Sequence, residues 1–255
     1  MNSNYTGPII KIRRASDSTI MSFYSNTTTV NLTSETGGTG TTIATFLSGT
    51  TGYVDTWYEQ SGKGNHATQT STISQPIIDI TNNCIDFGYS NNSSLFLNMP
   101  RGTVPVGVLD ASYSFAVKHG NSLNISRGGF IGSGVGANNN CNNFRFNGGI
   151  NRYQNYWWAN DYSWGDTAGT TVPTLAAVTY NGTTKTQKGF VSAALYNTTT
   201  NRTGVINSNS PATQKIGVTN GTGGGSEFLK GQMYSLFIYS AELTEGDITI
   251  LNTLS

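Results

Sequence analysis

Leu175-Ala-Ala-Val-Thr-Tyr-Asn-Gly182 is the stretch of sequence that best indicates the fold. An apolar run ends there at Asn-Gly, the dipeptide that most strongly predicts a tight β-hairpin turn. Residues 188–196 are the predicted partner strand. Upstream, residues 113–118 read Tyr-Ser-Phe-Ala-Val-Lys, so that large apolar side chains alternate with small or polar ones. A period of two is typical of a strand, and the two segments together predict a β-rich chain.

Further short strand-like segments occur along the chain, separated by turns rich in Gly, Asn, Ser and Thr. Residues 240–252 carry the one helix signal, with Thr244 as N-cap and Glu245 in the first turn. Many short strands and one helix predict a single all-β domain over residues 1–255, a two-sheet antiparallel jelly-roll sandwich with one short C-terminal helix. The other predicted strands are 9–13, 53–58, 76–80, 84–87, 94–98, 130–134, 143–146, 153–158, 215–218 and 229–239.

The charge of the chain limits its partners. Only 11% of the residues are charged and the formal net charge is +1, whereas a typical domain has roughly 25% charged residues. Such a small net charge gives no electrostatic footprint for nucleic acid. The sequence has no apolar run long enough to span a membrane. We therefore expect neither nucleic acid binding nor membrane insertion.

The residues that could bind metals or form bridges are few. Cys84 and Cys141 leave two alternatives open, a disulfide or two buried free thiols. The sequence has no Cys-x-x-Cys pair and no His/Cys cluster, so zinc is not expected. The sequence thus predicts no cofactor and leaves calcium open, because the candidate ligands are scattered rather than arranged in one loop. They are Asp55, Asp79, Asp86, Asp161 and Asp166.

Two motifs in the first third of the chain carry a family resemblance. Tyr5-Thr-Gly-Pro-Ile-Ile-Lys-Ile-Arg-Arg-Ala-Ser-Asp17 precedes Thr56-Trp-Tyr-Glu-Gln-Ser-Gly-Lys-Gly-Asn-His-Ala-Thr-Gln69. The pair resembles the opening of the arabinofuranosidase B catalytic domain, and it is similar to motifs in lectin-like domains of phage and large-virus structural proteins. Gly62 and Gly64 permit positive-φ turns, and we expect His66 to be a structural turn residue.

The C-terminal segment carries a second resemblance. Leu229-Lys-Gly-Gln-Met-Tyr-Ser-Leu-Phe-Ile-Tyr-Ser-Ala-Glu-Leu-Thr-Glu-Gly-Asp-Ile248 resembles the closing strand and helix of laminin G-like, concanavalin A-like domains. Together the motifs lie at both ends of the chain. They imply a concanavalin A-like lectin fold, and they are more specific for that fold than for any activity.

The catalytic residues of the resembling family are not matched. A retaining glycosidase needs two carboxylates about 5 Å apart. The arabinofuranosidases supply a Glu from an Asp-x-Glu-Asn stretch and an Asp from a Gly-rich loop near the last strands. This chain contains no Asp-x-Glu-Asn, and Asn220 stands nearest the position of the acid. The departures favour a protein that is not an enzyme, although folding could still bring Asp161 and Glu227 together.

An aromatic cluster in the middle of the chain is its most unusual feature. Sugars stack their C–H faces on aromatic rings, while neighbouring polar side chains bond the hydroxyls. Trp157 and Trp158 are adjacent, so in a strand one would face the core and the other the surface. The alternative is that the rings only fill the core. The predicted carbohydrate-binding residues are Tyr156, Trp157, Trp158, Asn160, Asp161 and Trp164, with Asn155 and Asp166 as further polar groups.

The low charge, the Asn/Thr/Gly-rich composition and the viral resemblance favour a non-enzymatic surface or structural module. It would belong to a virion or another extracellular assembly, bind a glycan or glycoprotein, and form a homo-oligomer or contact assembly partners. The predicted location is extracellular or on a virion surface. Two alternatives stay open, a glycoside hydrolase of arabinofuranosidase type and a purely structural assembly protein without a ligand.

Overall fold

The computed structural model describes residues 5–26, 29–35, 40–105, 111–122, 127–135, 137, 139–165, 173–203, 214–219 and 227–254. Its elements are antiparallel strands and two helices, α1 (Ile43–Leu47) and α2 (Glu245–Thr253). The strands are β1 (Pro8–Arg14), β2 (Ile20–Asn26), β3 (Thr29–Thr33), β4 (Gly52–Trp57), β5 (Ala67–Thr68), β6 (Ile77–Asp79), β7 (Cys84–Asp86), β8 (Leu97–Met99), β9 (Tyr113–Ser122), β10 (Arg127–Gly132), β11 (Asn143–Asn147), β12 (Arg152–Tyr156), β13 (Tyr162–Trp164), β14 (Thr174–Asn181), β15 (Thr186–Val191), β16 (Ala194–Thr199), β17 (Gln214–Ile216) and β18 (Gly231–Tyr239).

The first strands form a separate antiparallel ribbon in the order β3, β2, β1 and β4, and this ribbon connects to both sheets through β4. Strand β4 pairs with β5 through Thr56 and Trp57, and with β6 through Tyr53. The path through β5 leads to the front sheet, β8-β17-β10-β11-β12-β13. The path through β6 leads to the back sheet, β7-β18-β9-β14-β15-β16. The predicted two-sheet antiparallel sandwich is therefore confirmed.

The inner faces of the two sheets meet in a core rich in aromatic rings. The rings of Phe115 on β9 and Phe144 on β11 cross between the sheets with centroids 6.5 Å apart. Phe144 also stacks on Trp164 of β13 at 5.6 Å. All three side chains are fully buried. Each aromatic ring removes roughly 150–250 Å² from water, so the core stabilises the fold without a disulfide.

Helix α2 covers the outer face of the back sheet. Thr244 begins it with a capping box, in which its hydroxyl accepts from the Asp247 amide and the Asp247 carboxylate accepts from the Thr244 amide. The helix then packs its apolar side against small and apolar residues of β9, β14 and β15. This second cluster consists of Ala116, Leu175, Ala177, Phe190, Ile248 and Leu251.

The C-terminal helix and its N-cap at Thr244 are confirmed, and each predicted strand overlaps an observed one. The structure adds a helix that was not predicted. Helix α1 has five residues, which is too short for a helical period to show in sequence. Strands β2, β3, β5 and β13 were also not predicted.

The hairpin at Asn181 exists, but its geometry differs from the prediction. Asn181 pairs with Thr186, so the loop has four residues and the partner strand begins at Thr186 rather than at Lys188. The prediction of one strand over 188–196 is wrong, because the chain turns back at Ser192 and Ala193. Their φ angles are 49° and 66°, values that neither residue type signals in sequence.

The Gly-rich turn after β4 is held together by its own side chains. The Glu59 carboxylate accepts hydrogen bonds from the amides of Lys63 and Gly64 at 2.9 and 3.1 Å. The Glu59 amide in turn donates to Nδ1 of His66 at 3.2 Å, and the imidazole packs edge-on against Tyr58. These contacts agree with the expected structural role of His66.

Candidate functional site

The outer face of the front sheet is polar where its inner face is aromatic. Successive residues of a strand point to opposite faces. Phe144 and Tyr153 enter the core, whereas Arg145 and Gln154, which are cross-strand partners, lie on the outer face. The resulting row across β10, β11, β12 and β13 is Gly129, Arg145, Gln154 and Ser163.

A buried ion pair lies on this face. Nη1 of Arg145 donates to both carboxylate oxygens of Glu227, at 2.9 and 2.7 Å. The Thr219 hydroxyl donates to the same carboxylate at 3.0 Å, and Nε of Arg145 donates to Gln154 at 2.8 Å. The Arg145 side chain is only 3% exposed, so the pair fixes Glu227 against the sheet. These residues form a rigid polar floor, which we call the Arg145–Glu227 floor.

Tyr156 covers one end of this floor. Its ring lies over the Arg145 guanidinium, with 3.6 Å from the guanidinium carbon to the ring centroid. The side chain is half-buried, and burial raises the pKa of its hydroxyl to about 12. The hydroxyl therefore stays protonated at neutral pH and can donate a hydrogen bond to a ligand.

Trp158 lies beside Tyr156, with ring centroids 5.6 Å apart. Its φ is +79°, a conformation that costs a bulky residue of order 1–3 kcal/mol. The Asp161 Oδ1 atom holds this backbone by accepting from the amides of Trp157 and Trp158 at 2.9 and 3.0 Å. Within the described residues the second oxygen of Asp161 accepts no hydrogen bond. The loop thus presents a half-exposed indole beside an open carboxylate oxygen.

The other predicted aromatic residues lie in the core. Trp157 and Trp164 are fully buried. The Trp157 indole donates to the Tyr113 hydroxyl and to Asn155, both at 3.1 Å, and the Trp164 indole donates to the Phe190 carbonyl. These rings position β12 and β13 and cannot reach a ligand. The sequence had predicted that one of two adjacent tryptophans faces inward, and the structure shows that Trp157 does.

The polar residues around the loop take different places. Asn160 donates to the Asn139 side chain at 2.9 Å and is half-buried, whereas Asp161 is exposed. Asn155 is buried inside the sandwich and is therefore not available to a sugar. Arg202 donates to the Asn160 carbonyl, and its guanidinium lies 4.6 Å from the Trp157 ring.

Two further predicted positions lie outside the described residues, Asp166 and Asn220. Within the described ranges, no group of three or more His, Cys, Asp or Glu side chains could hold a metal ion. Cys84 and Cys141 are buried free thiols, and burial raises the pKa of each to about 12. No helix in the described part of the chain is long and apolar enough to cross a membrane.

The sequence prediction missed Arg145, Gln154 and Ser163 as members of the site. A signal for the first two was present, because Asn143-Phe-Arg-Phe-Asn147 and Arg152-Tyr-Gln-Asn-Tyr156 place polar side chains opposite apolar ones. The pairing of Arg145 with Glu227 left no such signal. The two residues are 82 positions apart, and strand order decides whether they meet.

No family model matches the chain, and no curated protein matches it. Solved structures do. One is a variant of a family-54 α-L-arabinofuranosidase soaked with 4-nitrophenyl α-L-arabinofuranoside, with TM-score 0.62 and 14% identity over 98% of this chain and 59% of that one. Another, an arabinofuranosidase complexed with arabinofuranosyl-α-1,2-xylobiose, matches with the same figures. The chain thus spans about three fifths of these two proteins.

A third solved structure matches part of the chain. It is a carbohydrate-binding module of a Ruminococcus gnavus sialidase bound to α2,3-sialyllactose, with TM-score 0.46 and 12% identity over 57% of this chain and 84% of that one. The arabinofuranosidase matches cover nearly the whole chain at low identity. What this protein shares with those arabinofuranosidases is their β-sandwich fold.

Proposed function

We propose that the protein is a non-enzymatic, glycan-binding module, with its site where Tyr156 and Trp158 adjoin the Arg145–Glu227 floor. The observation that carries the proposal is Trp158, a half-exposed indole kept at φ +79°. Strained backbone at a bulky residue persists where the surrounding structure enforces it, and such positions cluster at binding sites. Here Asp161 provides the enforcing contacts.

The proposed site has the two kinds of group that sugar recognition needs. The rings of Tyr156 and Trp158 offer apolar faces for C–H stacking. The open oxygen of Asp161 and the protonated hydroxyl of Tyr156 offer an acceptor and a donor for sugar hydroxyls. Asn160 adds an amide at the rim. Of the six residues predicted from sequence, these four are assigned to ligand contact, and the buried Trp157 and Trp164 to support.

We further propose that residues 1–255 form one domain that acts at a cell or particle surface. The structural neighbours that act on sugars support an extracellular setting. Attachment to a virion, homo-oligomer formation and binding of a host glycoprotein are parts of the same hypothesis. They rest on the motif resemblance and on the low charge of the chain.

A glycan array tests the proposal, with Trp158→Gly and Tyr156→Ala beside the wild-type protein. Tyr196→Ala is the matched control, because Tyr196 is an exposed aromatic residue on the back sheet. We expect both site variants to lose binding by at least about fivefold, since stacking on an aromatic ring contributes on the order of 1–3 kcal/mol. Gly adopts positive φ freely, so the stability of Trp158→Gly should stay within about 1 kcal/mol of wild type.

The outcomes separate the hypotheses. Binding that Trp158→Gly abolishes and Tyr196→Ala preserves supports the proposed site. Binding that all three variants preserve places the ligand elsewhere on the protein. The absence of binding to any neutral or charged glycan on the array contradicts the proposal and favours a purely structural assembly protein.

A glycoside hydrolase is the second candidate function. Asp161 and Glu227 both act electrostatically on the Tyr156 hydroxyl. Partial desolvation raises the pKa of Asp161, while Arg145 pairs with Glu227. One carboxyl with a raised pKa and a second that is ion-paired match the division of roles between acid and nucleophile in glycosidases. Release of 4-nitrophenol from 4-nitrophenyl α-L-arabinofuranoside that Asp161→Asn abolishes would favour this function over pure binding.

A further inference from the structure

We propose, resting on the function proposed above, that the ligand is an anionic glycan whose sugars carry carboxylate or sulfate groups. The polar outer face of the front sheet selects this class of ligand through its arginines. The same face meets Tyr156, so stacking and charge recognition would act on one chain of sugars.

The charge on the front sheet has one sign. Its six strands contain no Asp or Glu. Their charged residues are Arg127, Arg145, Arg152 and Lys215. The whole chain has a formal net charge of only +1, so this accumulation is a local feature and not a property of the surface as a whole.

The register places these cations on the outer face. Arg127 and Arg152 flank Asn147 in one cross-strand row, next to the row of Arg145. Lys215 alternates with the core residue Ile216 on β17. The Glu227 carboxylate is engaged by Arg145 and also by Arg127 at 3.2 Å. The Asp161 carboxylate lies within electrostatic range of Arg145. The positive charge of the face is therefore only partly balanced.

Two arginines of this face, Arg127 and Arg152, are exposed and can contact a ligand. The Arg152 side chain is exposed and forms no ion pair within the described residues. Arg127 keeps 51% of its side chain exposed although it touches Glu227. A guanidinium presents two parallel N–H groups that match a carboxylate or sulfate. Arg127 on β10 and Arg152 on β12 are separated by two strand spacings of about 4.8 Å each. Such a separation suits charged groups that repeat along an acidic chain.

Arg202, which follows β16 and contacts the loop that carries Trp158, is a third cation near the proposed site. The Nε atom of Arg202 is buried and has no hydrogen-bond partner in the described part of the chain. Its guanidinium bonds the Asn160 carbonyl and packs on Trp157, and no carboxylate forms an ion pair with it there. A buried donor without a partner is costly, but this atom is out of reach of a surface ligand, and the Asp161 carboxylate acts electrostatically on the guanidinium. The exposed Arg127 and Arg152 therefore carry the inference.

An acidic glycan fits these observations better than a nucleic acid does. Nucleic-acid-binding domains are basic overall, commonly with an isoelectric point above about 9, whereas this sequence has a pI near 7.7. Tyr156 and Trp158 form one stacking position at the edge of the sheet and not a series along it. A few charges beside one pair of rings match a short stretch of modified sugars.

Titration calorimetry can test the proposal with two acidic probes, polygalacturonate and chondroitin sulfate, and two neutral probes, arabinan and dextran. We expect binding of an acidic probe, weakened at least about tenfold when NaCl rises from about 50 to 500 mM, because salt screens exposed charges. The double variant Arg127→Gln/Arg152→Gln should bind roughly tenfold more weakly, at about twofold to fivefold per exposed charge. Lys63→Gln, at an exposed turn, is the control and should bind as wild type does.

Three results would overturn the inference. If arabinan or dextran binds as tightly as the acidic probes and Trp158→Gly abolishes that binding, the proposed function stands and the anionic preference fails. If none of the four probes binds, the anionic preference fails, and if the glycan array is also negative, the proposed function fails with it. If a single-stranded DNA oligonucleotide competes more strongly than either acidic probe, the face recognises nucleic acid instead.

Discussion

The two outer faces of this sandwich differ although both sheets contribute to the same core. On the back sheet, the small residues Ala116 and Ala177 let helix α2 approach and bury the face. On the front sheet, Arg145 and Gln154 occupy the corresponding outward positions. Side chains of this size and polarity would keep a helix from packing there. Helix α2 stabilises the fold by covering one face, whereas the other face carries polar side chains, of which Arg145 and Gln154 are buried.

Ion pairs occur on both outer faces, and Arg145–Glu227 on the front differs in burial from Lys188–Glu245 on the back. On the front face, Arg145 is 3% and Glu227 17% exposed. On the back, Lys188 and Glu245 are 32% and 55% exposed, with 3.4 Å between charged atoms. The same kind of contact should therefore have very different effects on stability in the two places.

Glu227→Gln gives the largest expected effect. The substitution leaves the Arg145 guanidinium buried without a carboxylate, which should lower the free energy of unfolding by about 3 kcal/mol. Glu245→Gln, which breaks the exposed pair, should change it by less than about 1 kcal/mol. Denaturant unfolding of both variants measures the difference. Equal losses would show that the front face is as solvated as the back.

The pH dependence of stability should report on His119, which is buried in the core between the two sheets. It lies on β9, and its Nε2 is 2.7 Å from the Tyr153 hydroxyl on β12. Burial lowers its pKa from 6.5 to about 4. The unfolded chain therefore takes up a proton first as pH falls, and stability that is complete above pH 6.5 should decrease by about 3 kcal/mol down to pH 4.

The variant His119→Gln isolates this contribution. It removes the titrating ring and leaves the carboxyl groups of the chain unchanged. Unfolding free energies of both proteins, measured from pH 7 to 4, should converge as the pH falls. Parallel curves would mean that the folded protein binds the proton at His119 as readily as the unfolded chain does.

Thr244→Ala gives the smallest expected effect. The substitution removes the hydroxyl from the capping box of α2, which should cost about 1 kcal/mol and lower the melting temperature by about 2–4 °C. Thr253→Ala at the other end of the helix is the control. If Thr244→Ala does not change the melting temperature, packing against the back sheet alone holds the helix.

The sequence predicted features that depend on residues close together along the chain and missed those that depend on contacts between distant strands. The alternation over residues 113–118 predicted strand β9, because a period of two is a local property, and Phe115 and Val117 do face the core. The turn at Ser192 and Ala193 was missed, because its positive φ angles depend on pairing between β15 and β16. Small polar and apolar residues adopt this conformation only when neighbouring strands require it.

The residues of the proposed site were predicted only in part, for the same reason. The sequence placed aromatic residues at 156–158 and one tryptophan inward, and both features are present. It could not show that Asn155 turns into the core to bond Tyr113 at 2.6 Å. It also could not show that Glu227 reaches Arg145. Those contacts depend on which strands are neighbours in the sheet, and a short segment of sequence does not determine the strand order.

The two hydrogen bonds from the Trp157 and Trp158 amides to Asp161 have a consequence for the evolution of this loop. Asp161 holds the loop through the main-chain amides of residues 157 and 158, so the loop's shape does not require the indole at 158. Substitutions at that position should therefore leave the scaffold intact. Under the proposed function, the outer end of this loop is a place where ligand specificity can evolve at small cost to folding.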